Sequence, residues 1–151
     1  MSGDDLRILI AEDDDDDQLL IRRAAEKGGC PCELAFVTDG EQLIERLHEA
    51  VGGSTPGRRP CPDIVVVDLN MPRVDGFEAL RTIKNDPRLC SLPVVVLTTS
   101  VRPDDMVGAY RNGASSYLAK PIDLSALTRL MEELCHYWKD VVRLPPKESR
   151  P

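Results

Sequence analysis

Short apolar runs alternate along this chain with stretches whose apolar residues recur at helical spacing. Leu6-Arg7-Ile8-Leu9-Ile10-Ala11 predicts a first strand, which stops at six consecutive acids, Glu12 to Asp17. Leu19, Leu20, Ile21, Ala24 and Ala25 then space a helix that Gly28-Gly29 ends. Glu33 to Val37 predicts a second strand closed by Thr38-Asp39-Gly40, and Leu43, Ile44 and Leu47 mark a second helix. Residues 50–62 are rich in Gly, Ser and Pro and predict a surface loop, with Arg58-Arg59 read as a solvated pair.

The third strand is the clearest. Ile64 to Val67 are four β-branched residues that run into Asp68, and a turn signal, Asn70-Met71-Pro72, follows before Asp75-Gly76 opens a helix with Phe77, Leu80 and Ile83. A run without polar interruption predicts a strand buried on both faces, as in a parallel sheet. Leu92 to Leu97 predicts a fourth strand leading to Thr98-Thr99-Ser100, and Pro103 fits the first turn of a fourth helix that ends at Asn112-Gly113. Ser116 to Ala119 predicts a fifth strand ending at Lys120-Pro121, and Leu124, Leu127, Leu130, Met131, Leu134 and Trp138 space a long last helix. Strands and helices in alternation imply βαβ units, and right-handed crossovers favour an α/β, doubly wound, five-stranded parallel sheet of order 2-1-3-4-5 flanked by five helices. The expected organisation is a tail over 1–5, one domain over 6–143 and an extended, exposed tail over 144–151.

In such a sheet the carboxyl ends of all strands lie on one edge, where ligands bind. Glu12 and Asp13, Asp68, Thr98 and Lys120 each follow a different strand, so the topology predicts that they converge. Carboxylates this close repel one another unless a cation joins them. Oxygen donors suit a hard divalent ion, and Mg²⁺ takes a few carboxylates together with water and phosphate oxygens. Asp68 could then act as a carboxylate nucleophile toward phosphorus, with Lys120 offsetting charge and Thr98 donating a hydrogen bond. Asp14 to Asp17, which precede a helix, read instead as caps and solvated acids.

Composition narrows the class. Of 151 residues, 42% are apolar and 30% charged, which fits one folded domain. The formal charge of −7 comes entirely from the first 17 residues, and the rest of the chain carries equal numbers of acids and bases, so no basic stripe argues for nucleic acid. No apolar run reaches the about 18 residues that would cross a bilayer, and the acidic N-terminus is unlike a signal peptide, so a cytoplasmic protein is expected. The five cysteines match neither a disulfide framework nor a metal site, and are expected to be reduced thiols.

Five motifs in order, Glu12-Asp13, Asp68 within Asp-Leu-Asn-Met-Pro, Asp75-Gly76, Thr98 and Lys120-Pro121, resemble the receiver domain of two-component response regulators over Leu6 to Trp138, with its flavodoxin-like fold. The resemblance implies that Asp68 is the phosphoacceptor and a sensor histidine kinase the donor. It also implies that Glu12, Asp13, Asp68 and the backbone carbonyl of Asn70 bind Mg²⁺ (or Mn²⁺), that Lys120 pairs with the phosphoryl group, and that Thr98 and Tyr117 act as the switch. More narrowly, Leu-Thr-Thr-Ser, Ser-Tyr-Leu-Ala-Lys-Pro and the ending from Tyr137-Trp138 to Leu144-Pro145 resemble the small regulators that partner phytochrome-type kinases. In those, the last helix and arm form a homodimer, which makes Tyr137, Trp138, Val141 and Val142 the candidate interface, with intramolecular core as their alternative. The pattern departs at Glu12, where aspartate is more frequent, at Thr99, and in the length of the acidic run. Two other readings compete. Haloacid-dehalogenase-like phosphohydrolases use an aspartyl nucleophile, but after the first strand and with the acidic pair late. A pseudo-receiver acting only as an interaction module would not need all five reactive positions. The expectation is a signalling protein, not an enzyme, with no nucleic-acid or membrane partner.

Overall fold

Ile64–Val67, which form β3, are buried on both faces, and the chain is arranged around them. The structure is a computed structural model that describes residues 5–29, 31–52 and 61–145. β1 (Leu6–Ala11), β2 (Cys32–Val37), β4 (Val94–Thr98) and β5 (Ser116–Ala119) join β3 in one parallel sheet of order β2-β1-β3-β4-β5. The helices are α1 (Asp15–Lys27), α2 (Gly40–Val51), α3 (Gly76–Asn85), α4 (Pro103–Arg111) and α5 (Leu124–His136). The predicted doubly wound order is the observed one.

Alternation along the strands sorts the core into two layers. Leu9, Val65, Val67, Val94 and Val96 face Leu43 and Leu47 of α2, Leu80 and Ile83 of α3, and Ala109 of α4. Ile8, Ile10, Ile64, Val66, Val95 and Leu97 face Ile21 of α1 and Leu127, Met131 and Leu134 of α5. Full burial of one such aliphatic side chain contributes about 1.5–3 kcal/mol, so the central strands hold the sheet against the cost of ordering its loops. Asp14, Asp39, Asp75 and Asp123 each cap the N-terminus of the following helix through a carboxylate that accepts backbone N–H bonds.

Four details differ from the sequence reading. β4 begins at Val94, because Pro93 has no N–H to give the ladder and the Leu92 amide is spent on Leu89 in a turn. It runs one residue further than expected, so Thr98 lies within the strand. The last helix ends as an α-helix at His136 and continues as one π-helical turn, Tyr137–Val141, closed by the Val142 amide donating to the Tyr137 carbonyl at 2.8 Å. Leu144 packs against the α1/α5 layer instead of standing free, and Pro145 is half-buried. The rest of the predicted tail, and Arg58-Arg59, lie outside the described residues.

Cys32 and Cys90 are free thiols, whereas Cys135 is in a disulfide. That corrects the expectation of five reduced cysteines; spacing along a chain does not reveal which thiols a fold brings together. Cys30 lies outside the described residues. No helix among the described residues is long and apolar enough to cross a membrane.

Candidate functional site

The chain leaves β1 at Glu12, and the backbone there stays in the sheet, its amide donating to the Val37 carbonyl at 2.9 Å. That continuation turns the Glu12 side chain inward, where it is buried. Asp13 is exposed beside it. The Asp68 amide likewise donates to Ala11 at 3.2 Å, so the two strand ends are locked side by side. One carboxylate oxygen from each of Glu12, Asp13 and Asp68 lies within 4.8 Å of the others.

Both oxygens of Asp68, 7% exposed, are engaged. Oδ1 accepts from the Asn70 amide at 3.1 Å, and Oδ2 accepts from Lys120 Nζ at 2.9 Å. Close packing against the next helix depends on Gly76. A Cβ there would stand 2.5 Å from the Asp68 carbonyl oxygen and 2.7 Å from Leu69 Cα, so any side chain would push α3 off the loop. The loop is pinned on its far side by Arg73, which takes a left-handed φ of 66° and pairs with Asp39 and Glu41.

Lys120 reaches in from the end of β5, its amide held by the Thr98 carbonyl at 2.8 Å. Its side chain is only 8% exposed and donates to Glu12 Oε1 at 2.6 Å, to Asp68 Oδ2 at 2.9 Å and to Asp17 Oδ2 at 3.1 Å. Burial alone would lower the affinity of this amine for its proton. Bonds to Glu12 and Asp68 more than offset that and raise its pKa well above the lysine range. For Glu12 the balance runs the other way: burial lifts its carboxyl above the usual range despite Lys120 and the Asp14 amide. Asp17 is the residue that sequence reading missed. In the sequence it reads as one of the solvated acids, Asp14 to Asp17, with nothing to set it apart.

The neutral side of the site is built from β4, β5 and α4. Thr98 is fully buried, and its Oγ1 accepts a long bond from the Ser100 amide at 3.4 Å. Tyr117, half-buried, donates its hydroxyl to the Ser100 carbonyl at 3.0 Å. The Ser100 hydroxyl in turn donates to Asp105 on α4. Ser100 is thus the link between Thr98 and Tyr117, a role that its place in a Thr-Thr-Ser run did not signal.

Glu12, Asp13, Asp68, Thr98 and Lys120 therefore meet at one edge, as the strand ends predicted, and Tyr117 adjoins them through Ser100. A model of the response regulator receiver domain matches residues 8–132. This chain belongs to the response regulator receiver family. The receiver is 41% identical over 144 residues to "Probable methanogenesis regulatory protein FilR2" of Methanothrix harundinacea (strain 6Ac), over 94% of this chain and 89% of that one. It superposes on the phosphorylated cyanobacterial phytochrome response regulator RcpA with a TM-score of 0.80 and 32% identity, covering 94% of this chain and 99% of that one. The Mn²⁺-bound form of Rcp1, a Synechocystis response regulator, gives a TM-score of 0.78 and 31% identity over 93% and 99%.

The four candidate interface residues divide. Tyr137 and Val141 are exposed, at 51% and 56%, and share one side of the π-helical turn. Trp138 is 7% exposed and Val142 half-buried, both packed on the α1/α5 layer.

Proposed function

We propose that this receiver takes a phosphoryl group from the phosphohistidine of a sensor histidine kinase onto Asp68, and signals through the resulting change of conformation. The observation that carries this reading is the placement of Asp68, nearly buried, with Lys120 on one oxygen and Glu12 and Asp13 within ligand distance. Four carboxylates, Glu12, Asp13, Asp17 and Asp68, around a single ammonium leave a deficit of positive charge, and oxygen donors of this kind suit a hard divalent cation. Glu12, Asp13, Asp68 and the Asn70 carbonyl would hold Mg²⁺ or Mn²⁺. When bound, the ion supplies positive charge to the phosphoryl oxygens.

The chain's own residues do the rest. The Asn70 amide and Lys120 orient the Asp68 carboxylate, so that one oxygen forms the bond to phosphorus as the P–N bond breaks and its electron pair returns to the imidazole. Lys120 then offsets the charge on the transferred group. Thr98 donates its hydroxyl toward that group, and the Ser100 segment carries the shift to Tyr117 and α4, biasing two populated states. Likeness to RcpA and to bacteriophytochrome response regulators favours a bacteriophytochrome-type kinase as partner, in the cytoplasm. The exposed Tyr137 and Val141 fit a homodimer through α5 and the C-terminal arm. The role is signalling, with no catalysis beyond the receiver's own phosphorylation and dephosphorylation.

Intact mass after incubation with acetyl phosphate and Mg²⁺ tests this. A gain of about 80 Da that is lost without metal and lost in Asp68→Asn is expected. No gain in the unaltered chain would overturn the reading and favour a module that acts without phosphorylation.

A further inference from the structure

An ammonium group has three N–H donors, and Lys120 spends all three on carboxylates. Two of these, Glu12 and Asp68, belong to the group that could hold a metal. The third does not. Asp17 stands on the first turn of α1, where the Asp14 cap takes its amide at 3.1 Å and Gln18 ties the same turn back to the Glu12 carbonyl at 2.7 Å. The turn is therefore held against the strand end by contacts that do not involve the Asp17 carboxylate, which reaches Lys120 from there.

The three partners are not equivalent. The side chains of Glu12 and Asp68 are 3% and 8% exposed, and that of Asp17 is 34% exposed. A cation placed among Glu12, Asp13 and Asp68 repels the Lys120 ammonium, which can move away from it only toward an acceptor on the outer side. Without one, the ammonium would stay close to the incoming charge or stand buried and unpaired, and either is costly. Resting on the function proposed above, we infer that Asp17 is a positioning residue for Lys120. It gives the ammonium an outer partner, and so lets Lys120 and a divalent cation share one pocket.

The test is a cycle of Mg²⁺ affinities measured by titration calorimetry on the full chain, with MgCl₂ as the only ligand. Asp17→Asn should weaken Mg²⁺ binding by roughly five- to tenfold, the size of a coupled pair. Asp15→Asn removes the same charge from the same turn at an exposed position with no bond to Lys120, and should cost less than about twofold. On a Lys120→Met background, or Lys120→Gln should the methionine variant not fold, Asp17→Asn should cost no more than Asp15→Asn does. A role in helix stability or in bulk charge would not vanish with Lys120. Equal losses for Asp17→Asn and Asp15→Asn would overturn the inference, as would an Asp17→Asn loss that persists undiminished without Lys120. Neither result would touch the receiver reading, which the wild-type mass gain decides; a wild-type chain that bound no Mg²⁺ would overturn both.

Discussion

The two halves of the site differ in how they are held together. On one side Lys120 makes three charge-assisted contacts between 2.6 and 3.1 Å, two of them to buried carboxylates. On the other, Thr98 and Tyr117 are joined through Ser100 by neutral bonds, the longest at 3.4 Å, and a single charge-assisted contact, from the Ser100 hydroxyl to Asp105, ties that segment to α4. Charge-assisted bonds are roughly twice as strong as neutral ones. The charged half is therefore built to stay in place and receive a ligand, and the neutral half to rearrange at little cost. A binding element and a moving element can sit side by side without the second loosening the first.

The sharpest way to break that contrast is Asp68→Asn. It should abolish phosphorylation by acetyl phosphate altogether, as read by intact mass, while leaving the neutral half and the fold intact by circular dichroism. Lys120→Met comes next. It leaves three carboxylates facing one another, so the metal-free protein should lose about 3 kcal/mol of stability in denaturant unfolding. Mg²⁺ should recover much of that loss, because it offers the replacement charge, and a melting temperature equally low with and without Mg²⁺ would count against the arrangement. Thr98→Ala should cost only about 1 kcal/mol, the value of one weak bond and a buried hydroxyl, and should leave the mass gain in place. Any shift of α4 on phosphorylation, followed by backbone amide NMR, should shrink. Tyr117→Phe should be the smallest, below about 1 kcal/mol, because only its hydroxyl contact with Ser100 is removed. If Tyr117→Phe proved as damaging as Lys120→Met, the division into a fixed and a movable half would fail.

Most of this division could be read from the chain, for reasons that differ by residue. Ile64–Val67 predicted a fully buried strand because four apolar residues in a row have no polar face to offer water. That strand placed Asp68 at the sheet edge. The other strand ends then brought Glu12, Asp13, Thr98 and Lys120 to it, since a parallel sheet leaves them no other edge. Asp17 was not legible. Six consecutive acids look alike in sequence, and only the hand of α1 and the length of the lysine side chain select one of them. Ser100 was hidden because its part is played largely by a backbone carbonyl, which every residue possesses. The end of α5 was misread for a third reason. Trp138 keeps helical spacing with Leu134 and faces inward with it, while Tyr137 and Val141 face out, so the π-helical turn leaves no mark in the apolar pattern.

Trp138 is also the chain's single tryptophan. α5 starts just past Lys120 and runs back along the sheet, which puts Trp138 about 20 Å further along the axis at 1.5 Å per residue. Its fluorescence is therefore a built-in optical probe at the far end of the molecule from Asp68. An ion in the pocket is too remote to quench it by contact. Any change in its emission when acetyl phosphate is added would report a signal that had travelled the length of the helix.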